Sequence, residues 1–226
     1  YTLDKNKQNL TKAIKAYEDA ITSYQELNLS NRIAECYWRI AQTHDMLDEN
    51  LNAAQDFNLA SDNYRKSAEK TPELKKLYDD NVLYMQAWSE IEKARYHHAR
   101  QDYGSAEEHF EKAATLHKSL KQWSYLAPNY SAWAKIEHAE ELSRKEQGEE
   151  AIKAFQEAAT LFDESKQSLQ QKMVNIDNPD EKQMATNIAK ATEFRSQYCL
   201  ARVTLEEAKI LDKKGDHSLS SDKYNA

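Results

Sequence analysis

Only three glycines and three prolines occur in 226 residues. That is too few to punctuate the many turns of a sheet-rich fold, so helix is the expected state. Two cysteines, Cys36 and Cys199, exclude a disulfide framework; both fall inside predicted helices and read as free buried thiols of a reducing compartment. No apolar run approaches the roughly 18 residues of a membrane-spanning helix. An excess of positive charge is lacking too. Acidic residues number 38 against 31 basic ones, a net charge of −7, and no nucleic-acid partner is expected of such a balance. The expectation is a soluble, cytoplasmic chain without a transmembrane segment. Because it begins at Tyr1 rather than at methionine, it reads as a fragment of a longer protein.

Signatures of chemistry are also missing. The sequence holds no glycine-rich phosphate loop, no nucleophile elbow and no zinc-protease helix. Seven histidines do not alter this. His97 and His98 diverge by about 100° on a helix, and His138 offers with Glu141 at most one imidazole and one carboxylate, too few for a metal centre. The reading is a non-enzyme with no catalytic residue, no cofactor and no metal.

What the sequence does have is a repeat. In Gln101–Leu116, Ala106, Phe110 and Ala113 share one helical face, two small residues flanking one ring, a surface on which another helix can sit close. The arrangement recurs at Ala13, Tyr17, Ala20; at Ala53, Phe57, Ala60; and at Ala151, Phe155, Ala158. Each such helix, here called a B helix, follows an A helix with its own alanine, except the first. Ala41 to Ala53, Ala94 to Ala106, Ala139 to Ala151 and Ala208 to Ser220 are all 12 residues apart. A fixed hairpin with variable outer ends suits stacking at the turns.

Helix signals divide the chain into units near 1–28, 30–70, 72–122, 124–175 and 178–226. The first helix starts at Leu3 or Leu10. Ser30 is an expected N-cap, and Thr71–Pro72–Glu73 is a start signal for a helix reaching Arg100. Ser124 or Pro128 opens the sixth helix. Gly148 marks the turn into the seventh, which runs to Met173, and Asn178–Pro179–Asp180–Glu181 starts the eighth, which Gly215 ends. Asp216 or Ser218 caps the ninth.

Tyr37, Ile40, Ala41 and His44, followed by Ala53, Phe57 and Ala60, resemble the tetratricopeptide repeat pattern. The resemblance implies an all-α, right-handed solenoid of helical hairpins, with about nine helices, as one domain over 1–226. Several helices exceed the family's length, and in that length and in their Ala/Phe texture they are similar to SNAP-like membrane-fusion adaptors. The family resemblance further implies that A helices line a concave groove and that the chain is a protein-interaction scaffold. Its partner would be another protein, or an effector domain of the same polypeptide. An adaptor for membrane-associated machinery is the alternative.

On the A helices, Trp38, Arg39, Gln42, Trp88, Glu92, Arg95, Trp133 and Glu137 are the candidate partner-binding residues. The tryptophans serve either as groove anchors or as inter-repeat core. Glu92, Glu137 and Glu206 either select a basic segment or pair with Lys and Arg of a neighbouring helix.

Overall fold

The computed structural model describes residues 2–225, with side chains from Asn6 onward. Among them every regular element is helical. The helices group into two compact units, the first ending at Ala99 and the second starting at Arg100.

The first unit holds α1 (Thr2–Glu26), α2 (Ser30–Met46), α3 (Asn50–Lys70) and, after a 3-10 turn at Pro72–Leu74, α4 (Lys75–His98). Each packs on the next in sequence. Ile21 of α1 meets Ile33, Cys36 and Ile40 of α2 in one cluster, with Ile14, Tyr17, Ala20 and Tyr24 around it. Between α3 and α4 the rings of Tyr64 and Tyr78 stack at 6.1 Å. There Ser89 Oγ donates to the Ala54 carbonyl at 2.9 Å, so the buried hydroxyl keeps a partner.

The second unit holds α5 (Tyr103–Ser119), a 3-10 turn at Ser124–Leu126, α6 (Ala127–Arg144), α7 (Gly148–Met173), α8 (Pro179–Lys213) and α9 (His217–Tyr224). Consecutive helices again pack together, and α6 also touches α8. Ala132 and Ile136 of α6, Ala158, Ala159 and Phe162 of α7, and Cys199 of α8 share a cluster. Another joins Ala139, Ala151, Ala154, Phe155 and Val203. Both cysteines are free and buried; burial pushes the Cys199 thiol up to about 12.

The alanine-ring-alanine triplets of α3, α5 and α7 are all buried, because small residues let the neighbouring backbone approach while the ring fills the remaining space. In the last hairpin a serine replaces the alanine, and Ser220 Oγ donates to the Ala208 carbonyl at 3.0 Å. The two positions 12 residues apart therefore face each other across the turn.

That constant spacing has a backbone cause. Asp48, Gln101, Glu146 and Gly215 have φ of 59°, 58°, 60° and 85°. Each stands seven residues after the A-helix alanine and five before the B-helix small residue. At Asp48, Glu146 and Gly215 the following amide bonds back five residues while the left-handed residue bonds back to the carbonyl three before it, as Glu49 N to His44 O at 2.9 Å and Asp48 N to Asp45 O at 3.0 Å. This is the Schellman closure of a helix C-terminus. It needs a left-handed residue, and only one of the four is glycine, so the turns escape a search for glycine.

Several start signals act differently from expectation. Ser30 is the first residue of α2, whose N-cap is Leu29, and it makes no capping bond. Thr71 also makes none, and Pro72 opens a 3-10 turn rather than α4 itself. Gly148 is the first residue of α7, while the left-handed turn falls at Glu146. Both candidates for the sixth helix are used, Ser124 by the 3-10 turn and Pro128 in the first turn of α6. Asn178 does cap α8, its Oδ1 accepting from the amides of Asp180 at 2.9 Å and Glu181 at 3.1 Å. At 35 residues, α8 is about 50 Å long.

Candidate functional site

In the first unit the A helices α2 and α4 meet through rings. Trp38 lies edge-on to Tyr84 at 6.0 Å, Tyr84 edge-on to Trp88 at 6.1 Å, and Trp88 stacks on Phe57 of α3 at 6.1 Å. The Arg39 guanidinium sits 5.8 Å over the Trp38 ring and donates to Gln42 Oε1 at 3.1 Å. Trp38 and Trp88 are half-buried: each packs one side against its neighbours and presents the other to solvent.

Farther toward the hairpins, Arg95 donates to Glu92 Oε1 at 2.9 Å and to Asp45, with Asp48 at 3.9 Å. Asn50 Nδ2 donates to Glu92 Oε2 at 2.9 Å. Glu92 is 0% exposed. Burial raises its carboxyl above the ordinary carboxylate range and Asp45 adds to this, while Arg95 and Asn50 offset only part. Both Glu92 and Arg95 are committed to contacts within the unit.

The second unit repeats the arrangement with different residues. Trp133 of α6 stacks on Phe110 at 5.6 Å and lies edge-on to Phe162 at 6.1 Å. Its face carries the Arg195 guanidinium at 4.8 Å, close enough for attraction to the ring quadrupole. Glu140 accepts from Tyr198 Oη at 2.8 Å and from Arg202, whose guanidinium lies 4.6 Å over Phe155. Ser143 Oγ and Lys209 Nζ each donate to Glu206 Oε1 at 2.7 Å.

Three pairs share one register. Trp38 meets Tyr84, Trp133 meets Arg195, and Glu140 meets Arg202. In every case the residue on the later A helix lies seven positions, about two turns, farther toward the helix N-terminus, counted relative to the hairpin alanine, than the residue it touches. The same step between A helices occurs in each unit taken alone.

The recurring glutamates have a different place from the one expected. Glu92, Glu137 and Glu206 are all buried, so their carboxylates do not line an open surface. Their positions explain the burial. Glu92 bonds to Asn50, the first residue of α3. Glu206 Oε2 lies 3.9 Å from where a Cβ on Gly148, the first residue of α7, would stand. At the first residue of α5, burial pushes the Tyr103 phenol up, and Glu140 and Glu137 add to the shift. The Glu92 and Glu206 carboxylates thus face the start of a B helix, where free N–H groups and the helix dipole favour an anion. The cations that balance Glu92 and Glu206 come from the same helix, Arg95 and Lys209, rather than from a neighbour.

The eight sequence candidates therefore separate. Trp38, Gln42, Trp88 and Trp133 are half-buried on A helices and Arg39 is exposed there, Arg95 is locked in an ion-pair cluster, and Glu92 and Glu137 are interior. On α8 the structure adds Phe194, 72% exposed, and Tyr198, 46% exposed, with Arg195 and Arg202 beside them. These carry no repeat signature. Their sequence mark is a second helical stripe, Phe194, Tyr198, Ala201 and Leu205 at intervals of four, three and four, flanked by two arginines seven apart.

Elsewhere His138 Nδ1 lies 3.1 Å from Glu107 Oε2. Among the described residues no three His, Cys, Asp or Glu side chains converge on a point, and no helix is long and apolar enough to cross a membrane. No family model matches the chain, and neither does any curated protein or solved structure.

Proposed function

We propose that the chain is a tetratricopeptide-like repeat scaffold whose A helices present partner-binding faces and which carries out no catalysis. One observation supports it most directly: the two-turn register shared by Trp38 with Tyr84 and Trp133 with Arg195. A translation recurring in two separately compact units is the signature of tandem stacking, and here it leaves half-exposed aromatic and arginine side chains along successive A helices. Those residue types dominate the energetics of protein interfaces. Trp38, Arg39, Gln42 and Trp88 form the face of the first unit, and Trp133 the face of the second. The partner is another protein or an effector domain of the same polypeptide. The free thiols Cys36 and Cys199 suit a reducing, cytoplasmic setting.

Capture of partners on the full-length protein, followed by amide hydrogen exchange on the reconstituted complex, tests this reading. Protection gained on α2 and α4 or on α6 and α8 supports it. Protection confined to the B helices, or turnover of a small-molecule substrate by the purified protein, overturns it.

A further inference from the structure

His44 lies near the end of α2 with both ring nitrogens against carboxylates. Its Nδ1 stands 2.7 Å from Asp56 Oδ2 of α3, and its Nε2 stands 3.5 Å from Glu49 Oε2 in the turn between the two helices. The same Glu49 oxygen accepts from Asn52 Nδ2 at 3.0 Å. Among the described residues no other cation lies within ion-pair distance of Asp56 or Glu49. A neutral imidazole has one donor and an imidazolium two. Only the charged ring can therefore donate toward both carboxylates, while the neutral one sets a lone pair against one of them.

The groups around the pair are mostly acids. From α1, Glu18 acts on Asp56 and on the Tyr37 phenol of α2. From α4, Arg95 is taken by Glu92 and Asp45. Burial pushes the Asp56 carboxyl above its ordinary value of 3.8 and Glu18 adds to this, with only His44 acting the other way. A carboxyl raised in the fold contributes fully below 3.8 and less as pH rises through its elevated value, and the Nε2 donor is likewise lost when the ring gives up its proton. Both changes loosen the contact as pH rises.

The α6–α7 hairpin closes without any of these groups. Counting from the hairpin alanines, His44, Glu49 and Asp56 correspond to Leu142, Gln147 and Ala154. Leu142 packs on the apolar cluster that contains Ala154, and Glu146 has the same left-handed closure as Asp48. An apolar contact therefore suffices at this point of a hairpin. A mostly buried ion pair in its place adds little stability, and its best-attested use is to set register or to switch.

We propose that His44 is a proton-operated clasp of the α2–α3 hairpin: the imidazolium holds Asp56 and Glu49 together, and loss of its proton frees Glu49 and loosens the turn. The clasp goes beyond the scaffold reading and does not depend on it. Because α2 also carries Trp38, Arg39 and Gln42, one end of that helix has a pH-dependent hold. Histidine is the residue for such a role, since its charge changes near neutral pH.

Two readouts on the full chain test this. Long-range nitrogen–proton NMR spectra follow the His44 ring from about pH 5 to 8, the span over which histidine side chains change charge. Amide hydrogen exchange, expressed as protection factors, compares the Glu49 amide, bonded to the His44 carbonyl, with the Gln147 amide, bonded to the Leu142 carbonyl. In the parent, protection at Glu49 relative to Gln147 should fall by about threefold or more as pH rises, within the roughly tenfold per pH unit that one proton allows, and its midpoint should coincide with the titration of the His44 ring. Glu49→Gln should reduce the fall. Combining it with His44→Leu and Asp56→Ala, which gives the hairpin the side chains of the α6–α7 hairpin, should abolish it. Glu49 is half exposed, so Glu49→Gln keeps the fold even if the triple variant does not. A protection ratio constant with pH in the parent, a rise in place of a fall, or a His44 ring that does not change charge over this span overturns the proposal. So does a fall that persists in full in Glu49→Gln.

Discussion

Asn50 donates through its side-chain amide to Glu92 Oε2 at 2.9 Å, joining the first residue of α3 to a fully buried carboxylate of α4. Through this bond one hairpin is tied to the next A helix, and Arg95 anchors the same carboxylate from one turn along α4.

Glu92→Ala should therefore destabilise the first unit by about 2–3 kcal/mol, since it removes a buried side chain and takes the acceptor from Asn50 and one of the acceptors from Arg95, which keeps Asp45. Urea denaturation followed by circular dichroism measures the loss. Glu92→Gln keeps the shape and an acceptor and should cost less.

The pH dependence of Glu92 and Glu206 should have opposite sign. Burial raises the Glu92 carboxyl above its ordinary value of 4.5, so its contribution is complete below 4.5 and fades as pH rises through the elevated folded value. For Glu206, burial opposes the charge, but the hydrogen bonds from Lys209 and Ser143 and the charges of Lys209 and Arg202 win, and its carboxyl is lowered. That contribution is present above 4.5 and fades as pH falls through the depressed folded value. Relative to the parent, Glu92→Gln should gain stability on going above pH 4.5, and Glu206→Gln should lose stability on the rise toward 4.5. Denaturation midpoints at a series of pH values check both slopes.

His117 is fully buried and stacks on Tyr130 at 5.3 Å. Burial lowers its imidazole from 6.5 to about 3. A depressed histidine is neutral in the fold and protonated in the unfolded chain between those values, so stability should fall as pH drops from 6.5 toward 3, by on the order of 1 kcal/mol per pH unit. His117→Leu should flatten that slope. In the parent, the His117 imidazole proton resonances should stay unshifted from pH 8 to 5.

The left-handed turns predict stabilising changes. Glu146 and Gln101 hold φ near +60°, a conformation that costs a residue with a Cβ about 1 kcal/mol and glycine very little. Glu146→Gly and Gln101→Gly should each stabilise by about 0.5–1 kcal/mol, seen as a higher Tm. Gly215→Val should lower it.

Phe155 is completely buried and carries Arg202 over its ring. Phe155→Ala removes the ring that fills the space between two alanines, and about 3–5 kcal/mol of stability should go with it. Thermal melting of the variant reads this directly.

Much of the framework was legible because helical periodicity is local. Ala106, Phe110 and Ala113 mark a buried face wherever the chain folds, and the 12-residue interval from Ala41 to Ala53 marks a hairpin. The nine α-helices among the described residues, and the ends of α7 and α8 within a residue, follow from such spacing and from signals like Asn178. The turn chemistry was harder to read. Glu146 and Gln101 occupy conformations that residue type does not announce, and Ser30 has a capping side chain but makes no capping bond.

The candidate site was legible by element and not by residue. Trp38, Trp88 and Trp133 lie on A helices in either reading of their role, and the structure gives each a packed side and an open side. The acids Glu92, Glu137 and Glu206 read as selectors of a basic segment or as partners of Lys and Arg on a neighbouring helix, because glutamate is rarely buried. Only the neighbouring helix supplies the N-terminus that makes burial tolerable.

By itself, then, the sequence determined which residues share a helical face and where the hairpins fall, since both depend on positions a few residues apart. Tertiary structure decided which charges are neutralised. Arg202 finds Glu140, 62 residues earlier, while Arg195, one heptad away on the same helix, meets Trp133 and Asn129 and, among the described residues, no acid. Pairing of that kind depends on the register between helices, which local spacing does not encode and packing fixes.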